Sequence, residues 1–197
     1  MKILAGELKG RRLLTPRGAT TRPTADQVRI ALMDTLTPRL PGAHVLDLFA
    51  GAGGVGLEAL SRGAVHTTFV ERDRRALAAL RDNLAALGVH DRARVLGEDV
   101  ERALDRLVRE GARFDVVFLD PPYESNLGDA ALARVGAGRL AATGAVVIAQ
   151  HLTKRAPVVS AGALAAFRTR RFGETTLTFF RSGDYDAASR ADPSERI

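Results

Sequence analysis

Five short, nearly continuous apolar runs recur through the middle of this chain, and a stretch with helical periodicity follows each of the first four. The runs lie at 45–50 (VLDLFA), 67–71 (TTFVE), 94–97 (RVLG), 114–120 (FDVVFLD) and 145–150 (AVVIAQ). The helical stretches lie at about 56–62, 73–87, 100–110 and 126–139. Leu77, Leu80, Leu84 and Leu87 share one helical face, and Gly88 follows as a stop. A strand that is apolar on both sides needs cover on both faces. Strands of this kind alternating with helices therefore predict an α/β fold around a parallel sheet. After Gln150 the pattern changes: 163–172 and 175–181 read as two strands joined by a tight Gly173-Glu174 connection. The mostly parallel sheet should end in an antiparallel hairpin.

The N-terminal segment has its own pattern. Ile3-Leu4 and 12–14 flank GELKGR, which suits a small hairpin. Arg22-Pro23-Thr24 then leads into a helix at about 25–36, with Thr24 and Gln27 spaced as a capping box. Pro38 and Pro41 close that helix and mark a linker. A length of 197 residues suits one domain with a small appendage. Three parts are expected: an extension at 1–40, a core domain at 41–181, and a small polar tail at 182–197 that reads as disordered.

The net charge of +6 is unevenly spread. Residues 1–39 and 151–181 each carry net +5, whereas 40–150 and the tail each carry net −2. Basic flanks on a neutral core suit a polyanionic partner. Arginine makes up 26 of the 29 basic residues, which a compositional bias toward Arg would also produce, so charge alone leaves nucleic-acid binding open.

Other classes are excluded more directly. No apolar run approaches the roughly 20 residues of a membrane span, and the opening MKILAGELKGRR lacks the apolar region of a secretory signal. There is no cysteine, which excludes disulfides, thiolate metal sites and Cys nucleophiles and fits a reducing cytoplasm. His44, His66, His90 and His151 show no metal-ligand spacing, so no metal is expected.

Two motifs carry chemistry. The first is Asp47-Leu-Phe49-Ala-Gly51-Ala-Gly53-Gly54-Val-Gly56, between the first apolar run and a helix. Glycines there let backbone approach a ligand at a helix N-terminus. Glu71 follows Gly51 by 20 residues, where an acid that holds a ribose belongs. The second is Asp120-Pro121-Pro122-Tyr123, directly after the strand FDVVFL. Two prolines keep the chain extended and remove two N–H donors, so the Asp carboxylate and proline carbonyls become acceptors beside an aromatic face. That set suits a planar base with an exocyclic amino group. Asp47, Glu71, Asp99 and Asp120 all fall at or near the C-terminal ends of successive predicted strands, which border one crevice in a parallel sheet. Four acids there suit a cationic, hydroxyl-rich ligand such as S-adenosylmethionine better than a pyrophosphate.

With these residues in place the chain resembles class I S-adenosylmethionine-dependent methyltransferases with a Rossmann-like sheet. More closely it resembles the bacterial RsmD family, which methylates N2 of guanine 966 in 16S ribosomal RNA. The resemblance covers about residues 1–181. It rests on Ile3-Leu-Ala-Gly with Lys9-Gly-Arg-Arg-Leu, Arg22-Pro-Thr with Val28-Arg29, Asp47-Leu-Phe-Ala-Gly with Gly56-Leu-Glu-Ala-Leu-Ser-Arg-Gly, and Asp120-Pro-Pro-Tyr. The chain departs from the family at Ile30 and Met33, and at Gln150-His151, where many members carry Glu-His.

The resemblance implies roles. Asp47, Phe49, Gly51 and Gly53 would hold the methionine end of the cofactor, Glu71 and Arg72 the ribose end, and Asp99 and Val100 the adenine. Asp120, with Pro121, Pro122 and Tyr123, would grip the guanine. Lys9, Arg11, Arg12, Arg22, Thr24 and Arg29 would contact RNA. It further implies 16S rRNA in an assembled or partly assembled small ribosomal subunit as partner, a cytoplasmic monomer, and no membrane. The alternatives are a DNA adenine-N6 methyltransferase, against which stands the lack of a DNA-recognition insertion, and a non-catalytic module that binds S-adenosylmethionine and RNA.

Overall fold

The computed structural model describes residues 1–16, 23–122, 126–137, 140–155 and 160–183. Strands β1 (His44–Leu48), β2 (His66–Val70), β3 (Ala93–Leu96), β4 (Phe114–Leu119) and β5 (Ala141–Leu152) run parallel. β8 (Thr175–Ser182) returns antiparallel on β5, β7 (Leu164–Phe172) pairs antiparallel with β8, and the short β6 (Ser160–Ala161) pairs with β7. One eight-stranded sheet results, in the order β3-β2-β1-β4-β5-β8-β7-β6. The expected parallel core and terminal hairpin are both present. β6 was not expected; two residues are too few to show a period.

Helices cover both faces, as the apolar strands require. α1 (Pro23–Leu36), α2 (Gly54–Ser61) and α3 (Arg74–Leu87) pack Leu32, Met33, Leu57, Leu60, Leu80 and Leu84 against Val45, Phe69, Val116 and Ile148. α4 (Val100–Arg109) and α5 (Leu127–Ala137) pack Leu104, Leu107, Leu132 and Val135 against Leu46, Leu48, Val117 and Val147. Alternate strand residues thus serve opposite cores. The leucine stripe of α3 faces the sheet, and Gly88 ends the helix at φ 71°.

α1 begins at Pro23, two residues before the expected start. Proline suits a first helical turn because its missing N–H would find no partner there. Thr24 therefore lies inside the first turn and is not the N-cap that the capping-box spacing implied.

The N-terminal hairpin forms, with Lys2 opposite Arg12, and it is bolted to α2. Glu58, fully buried, accepts the Leu4 N–H at 2.7 Å and the Ala5 N–H at 3.0 Å, and pairs with Arg62 at 2.9 Å. Ser61 accepts the Leu8 N–H and donates to the Ala5 carbonyl. Ile3 and Leu13 join the same core as α1 to α3. The run Glu58-Ala-Leu-Ser61-Arg62 is therefore a docking site for the chain's own first residues. Among the described residues, no helix is long and apolar enough to cross a membrane.

Candidate active site

After β1 the chain builds β2 and β3 on one side; it then returns to place β4 and β5 on the other. The loops leaving β1 and β4 diverge at this switch point and open a crevice at the carboxyl ends of the strands.

Asp47 lies within β1 and is 2% exposed. Its Oδ2 accepts the Gly56 N–H at 2.9 Å and so ties the strand to the start of α2. Burial raises its pKa to about 7; the Gly56 bond opposes this, and Asp120 and Glu71 add to it. The loop that follows is backbone-led. Gly51 has φ 56°, and a Cβ there would meet nothing within 4 Å, so its backbone faces open space. Gly56 is needed for the opposite reason: a Cβ would sit 2.3 Å from the Phe69 ring. Phe49, at φ 64°, is the sole non-glycine with positive φ among the described residues. Such a conformation costs of order 1–3 kcal/mol.

Glu71 follows β2 and clasps two loops. Its Oε2 accepts the Gly51 N–H at 2.8 Å, and its Oε1 accepts those of Arg72 and Asp73, each at 2.8 Å. A carboxylate has about four lone-pair positions, so one, on Oε2, is left for a ligand hydroxyl. Asp73 caps α3 through the N–H groups of Arg75 and Ala76. Asp99 stands at the corresponding position before α4 but makes no capping bond, and its carboxylate lies 3.5 Å from the Arg72 guanidinium.

Asp120 leaves β4 with its N–H directed to the Leu48 carbonyl at 3.4 Å. Burial raises its pKa to about 7. Pro121 is held from behind by α5: a Cβ on Gly128 would lie 2.7 Å from its ring. These groups enclose a cavity of about 360 Å³ lined by Phe49, Glu71, Arg72, Asp99, Val100, Asp120, Pro121 and Pro122, with Val70, Glu98 and Leu127. Four carboxylates, one guanidinium and the apolar side chains of Phe49, Val70, Val100 and Leu127 give the cavity an acidic lining with apolar walls.

Eight of the residues expected at the site thus line one cavity. Asp47, Gly51 and Gly53 do not: Asp47 lies beneath the loop, and the glycines set its path. Tyr123 and Arg22 lie outside the described residues, as do the side chain of Thr24 and tail residues 184–197. The residues missed are Glu98, whose only signal was its place beside Asp99, and Val70 and Leu127, which looked like ordinary core.

The basic residues expected to touch RNA are dispersed. Arg29 is 6% exposed and donates to the Lys2 carbonyl at 3.1 Å, so it fastens the N-terminal segment to α1 and is no free surface cation. Arg11 donates to the Ala86 carbonyl in the last turn of α3. α3 starts beside the crevice, and its 14 residues carry that turn about 20 Å away. Lys9 is exposed at the same far tip, near Glu7, which pairs with Arg92 ahead of β3 at 2.5 Å. Arg12 is exposed on the hairpin flank.

Residues 1–181 match the family model described as Conserved hypothetical protein 95. A Bacillus subtilis protein provisionally named as an rRNA methyltransferase, YlbH, is 34% identical over 181 residues, spanning 92% of this chain and 98% of that one. Ribosomal RNA small subunit methyltransferase D of Escherichia coli is 40% identical over 127 residues, 64% of this chain and 62% of the relative. Among solved structures, a provisionally named Escherichia coli methyltransferase, yhhF, superposes with a TM-score of 0.81 at 32% identity, covering 92% of this chain and 97% of that one.

Proposed function

The chain belongs to the Conserved hypothetical protein 95 family, which is the RsmD family, and from that premise we propose that it methylates the exocyclic N2 of a guanine in 16S ribosomal RNA, guanine 966, with S-adenosylmethionine as donor. The observation that carries this reading is the acidic cavity at the strand ends, whose lining includes Asp120, Pro121 and Pro122. The names of the relatives support rRNA as substrate.

The cavity suits the cofactor on its own chemistry. Asp120 in its lining and Asp47 beneath the neighbouring loop have pKa values raised to about 7 because burial disfavours their charge. A bound cation relieves that cost. S-adenosylmethionine, when bound, supplies an electrophilic methyl group on a sulfonium. Glu71 would accept a ribose hydroxyl on its remaining lone pair, Asp99 would accept from the adenine amino group, and the open backbone at Gly51 would face the methionine end.

The guanine amino lone pair is delocalised into its ring and is a poor nucleophile. Asp120 and the Pro121 carbonyl would accept its two N–H bonds and draw the nitrogen toward a tetrahedral geometry facing the cofactor. The prolines offer no competing N–H, and Gly128 braces Pro121 in place. Positioning of this kind supplies most of the rate. After transfer the nitrogen carries a positive charge and an acidic proton. A carboxylate with a pKa near 7 is matched to accept it. The base must leave its stack to reach this depth.

The test is incubation with labelled S-adenosylmethionine of small ribosomal subunits from cells lacking this protein, followed by mapping of the modified nucleotide. Label on guanine N2 in 16S rRNA is expected. Label on duplex DNA instead, or RNA binding without transfer, overturns the reading.

A further inference from the structure

The strand register builds a wall beside the crevice. β4 ends with Leu119 paired to Ala149 of β5, yet β5 continues through Gln150, His151 and Leu152, paired only with Leu177, Thr176 and Thr175 of β8. β7 rises with them, pairing Arg171 to Thr176 and Phe172 to Thr175. Three residues of strand carry this tip about 10 Å past the end of β4, on the side where Asp120 opens. The tip is tied together at its top: the Thr153 N–H donates to the Glu174 carbonyl at 2.7 Å, its hydroxyl donates to the Gly173 carbonyl at 2.8 Å, and Thr153 and Thr176 share a hydroxyl contact at 2.8 Å.

The tip is basic. Lys154 and Arg155 follow Thr153 and are exposed. Arg171, also exposed, stands across from Thr176, which Thr153 touches, so the three cations cluster around one threonine pair. Arg155 also donates to Asn126, the neighbour of the cavity-lining Leu127, and so reaches from the wall toward the crevice. Arg170 belongs elsewhere, turned to the Ala31 carbonyl and the Thr35 hydroxyl of α1. Glu174 is the one acid among these tip residues, 151–155 and 171–176.

The cavity itself, lined by Glu71, Glu98, Asp99 and Asp120, repels a phosphate chain. A nucleotide presented to Asp120 therefore needs its backbone neutralised close by. The hairpin cations Lys9 and Arg11 are about 20 Å off, at the other end of α3. We propose that the raised tip of β5, β7 and β8, through Lys154, Arg155 and Arg171, is the surface that holds the RNA backbone beside the target base. This rests on the rRNA methyltransferase reading and moves the nearest phosphate contacts from the N-terminal hairpin to the C-terminal one.

The test compares Lys154→Ala/Arg171→Ala with Lys9→Ala/Arg11→Ala. Binding to small ribosomal subunits from cells lacking this protein is measured across salt, with S-adenosylmethionine affinity and methyl transfer measured in parallel. The tip pair should weaken binding at least ten-fold near physiological salt and flatten the salt slope by about 1.5, the counterions of two phosphates. The hairpin pair should change binding less than three-fold. Cofactor affinity should be that of the parent, and transfer at saturating subunits should recover. The charge reversal Lys154→Glu/Arg171→Glu should deepen the loss. Parental affinity and slope in the tip pair overturns the proposal, and so does a joint loss of cofactor binding, which would make the tip a support of the fold. A parent chain that binds subunits but transfers no methyl overturns the functional reading alone, because the binding comparison needs no transfer.

Discussion

Replacing Glu71 by alanine removes three bonds at once. The Gly51 N–H is partly buried and loses its acceptor, at a cost of about 1–3 kcal/mol if no water replaces it. The Arg72 and Asp73 N–H groups are exposed, so water takes over and their loss matters little. The cofactor would also lose the charge-assisted bond proposed to Oε2, about 1.5–3 kcal/mol, or about 10–150-fold in affinity. The Gly51 loop also relaxes, so the fall should lie in the upper half of that range. Glu71→Gln separates the two effects. Its amide oxygen can keep the Arg72 and Asp73 bonds, but its NH2 group must then face the Gly51 N–H, donor against donor. Gln should therefore bind nearly as poorly as Ala, although it keeps the shape and a polar end. Titration calorimetry with S-adenosylmethionine and its demethylated product reads the affinities, and thermal melting reads the fold. Affinity within three-fold of the parent in Glu71→Ala would refute the loop-clasp reasoning.

Three further outcomes are expected. Asp120→Ala should cut single-turnover methyl transfer to small subunits by at least about 10²-fold, the scale of losing one positioned polar group, with Asp120→Asn slower than the parent but measurable; turnover near the parent's in the Ala variant rejects Asp120 as the acceptor. The pKa values of Asp47 and Asp120, raised from 3.8 to about 7, mean that without a cation nearby these carboxyls favour the fold most below about pH 4 and lose that contribution as pH rises through 7. Binding of the cationic cofactor should correspondingly release protons and tighten between about pH 5.5 and 7.5, then level off, and a pH-independent affinity by calorimetry contradicts it. Glu58→Ala removes the acceptor of two partly buried backbone N–H groups and the carboxylate partner of Arg62, which keeps its bond to Thr37, and should cost about 2–4 kcal/mol in denaturant unfolding; a loss under 1 kcal/mol would show that the N-terminal hairpin is not held through α2.

Much of this protein is local in origin and therefore legible along the chain. Strands apolar on both sides demand a covered sheet wherever they occur. The α3 leucines and Gly88 mark a helix face and its end without reference to any neighbour. Asp120-Pro-Pro states its own geometry, because proline restricts φ and removes donors whatever surrounds it. The positions of Glu71, Asp99 and Asp120 at one rim follow from parallel strands alone, since all their C-terminal ends lie on the same side. What residues far apart in sequence do to one another was decided by the tertiary structure. Asp47 was expected to hold the methionine end of the cofactor; it lies buried beneath its loop, with one carboxylate oxygen bonded to the Gly56 N–H. Glu71 was expected to hold a ribose, but loop N–H groups already take three of its four lone pairs. Arg29 read as a surface cation and is buried by the packing of α1 on the N-terminal segment. Lys9 and Arg11 were expected to contact RNA, yet the hairpin docks at the far end of α3. The wall of β5, β7 and β8 depends on register, on where β4 stops and β5 does not, and register is a property of pairs of strands that neither strand's sequence contains.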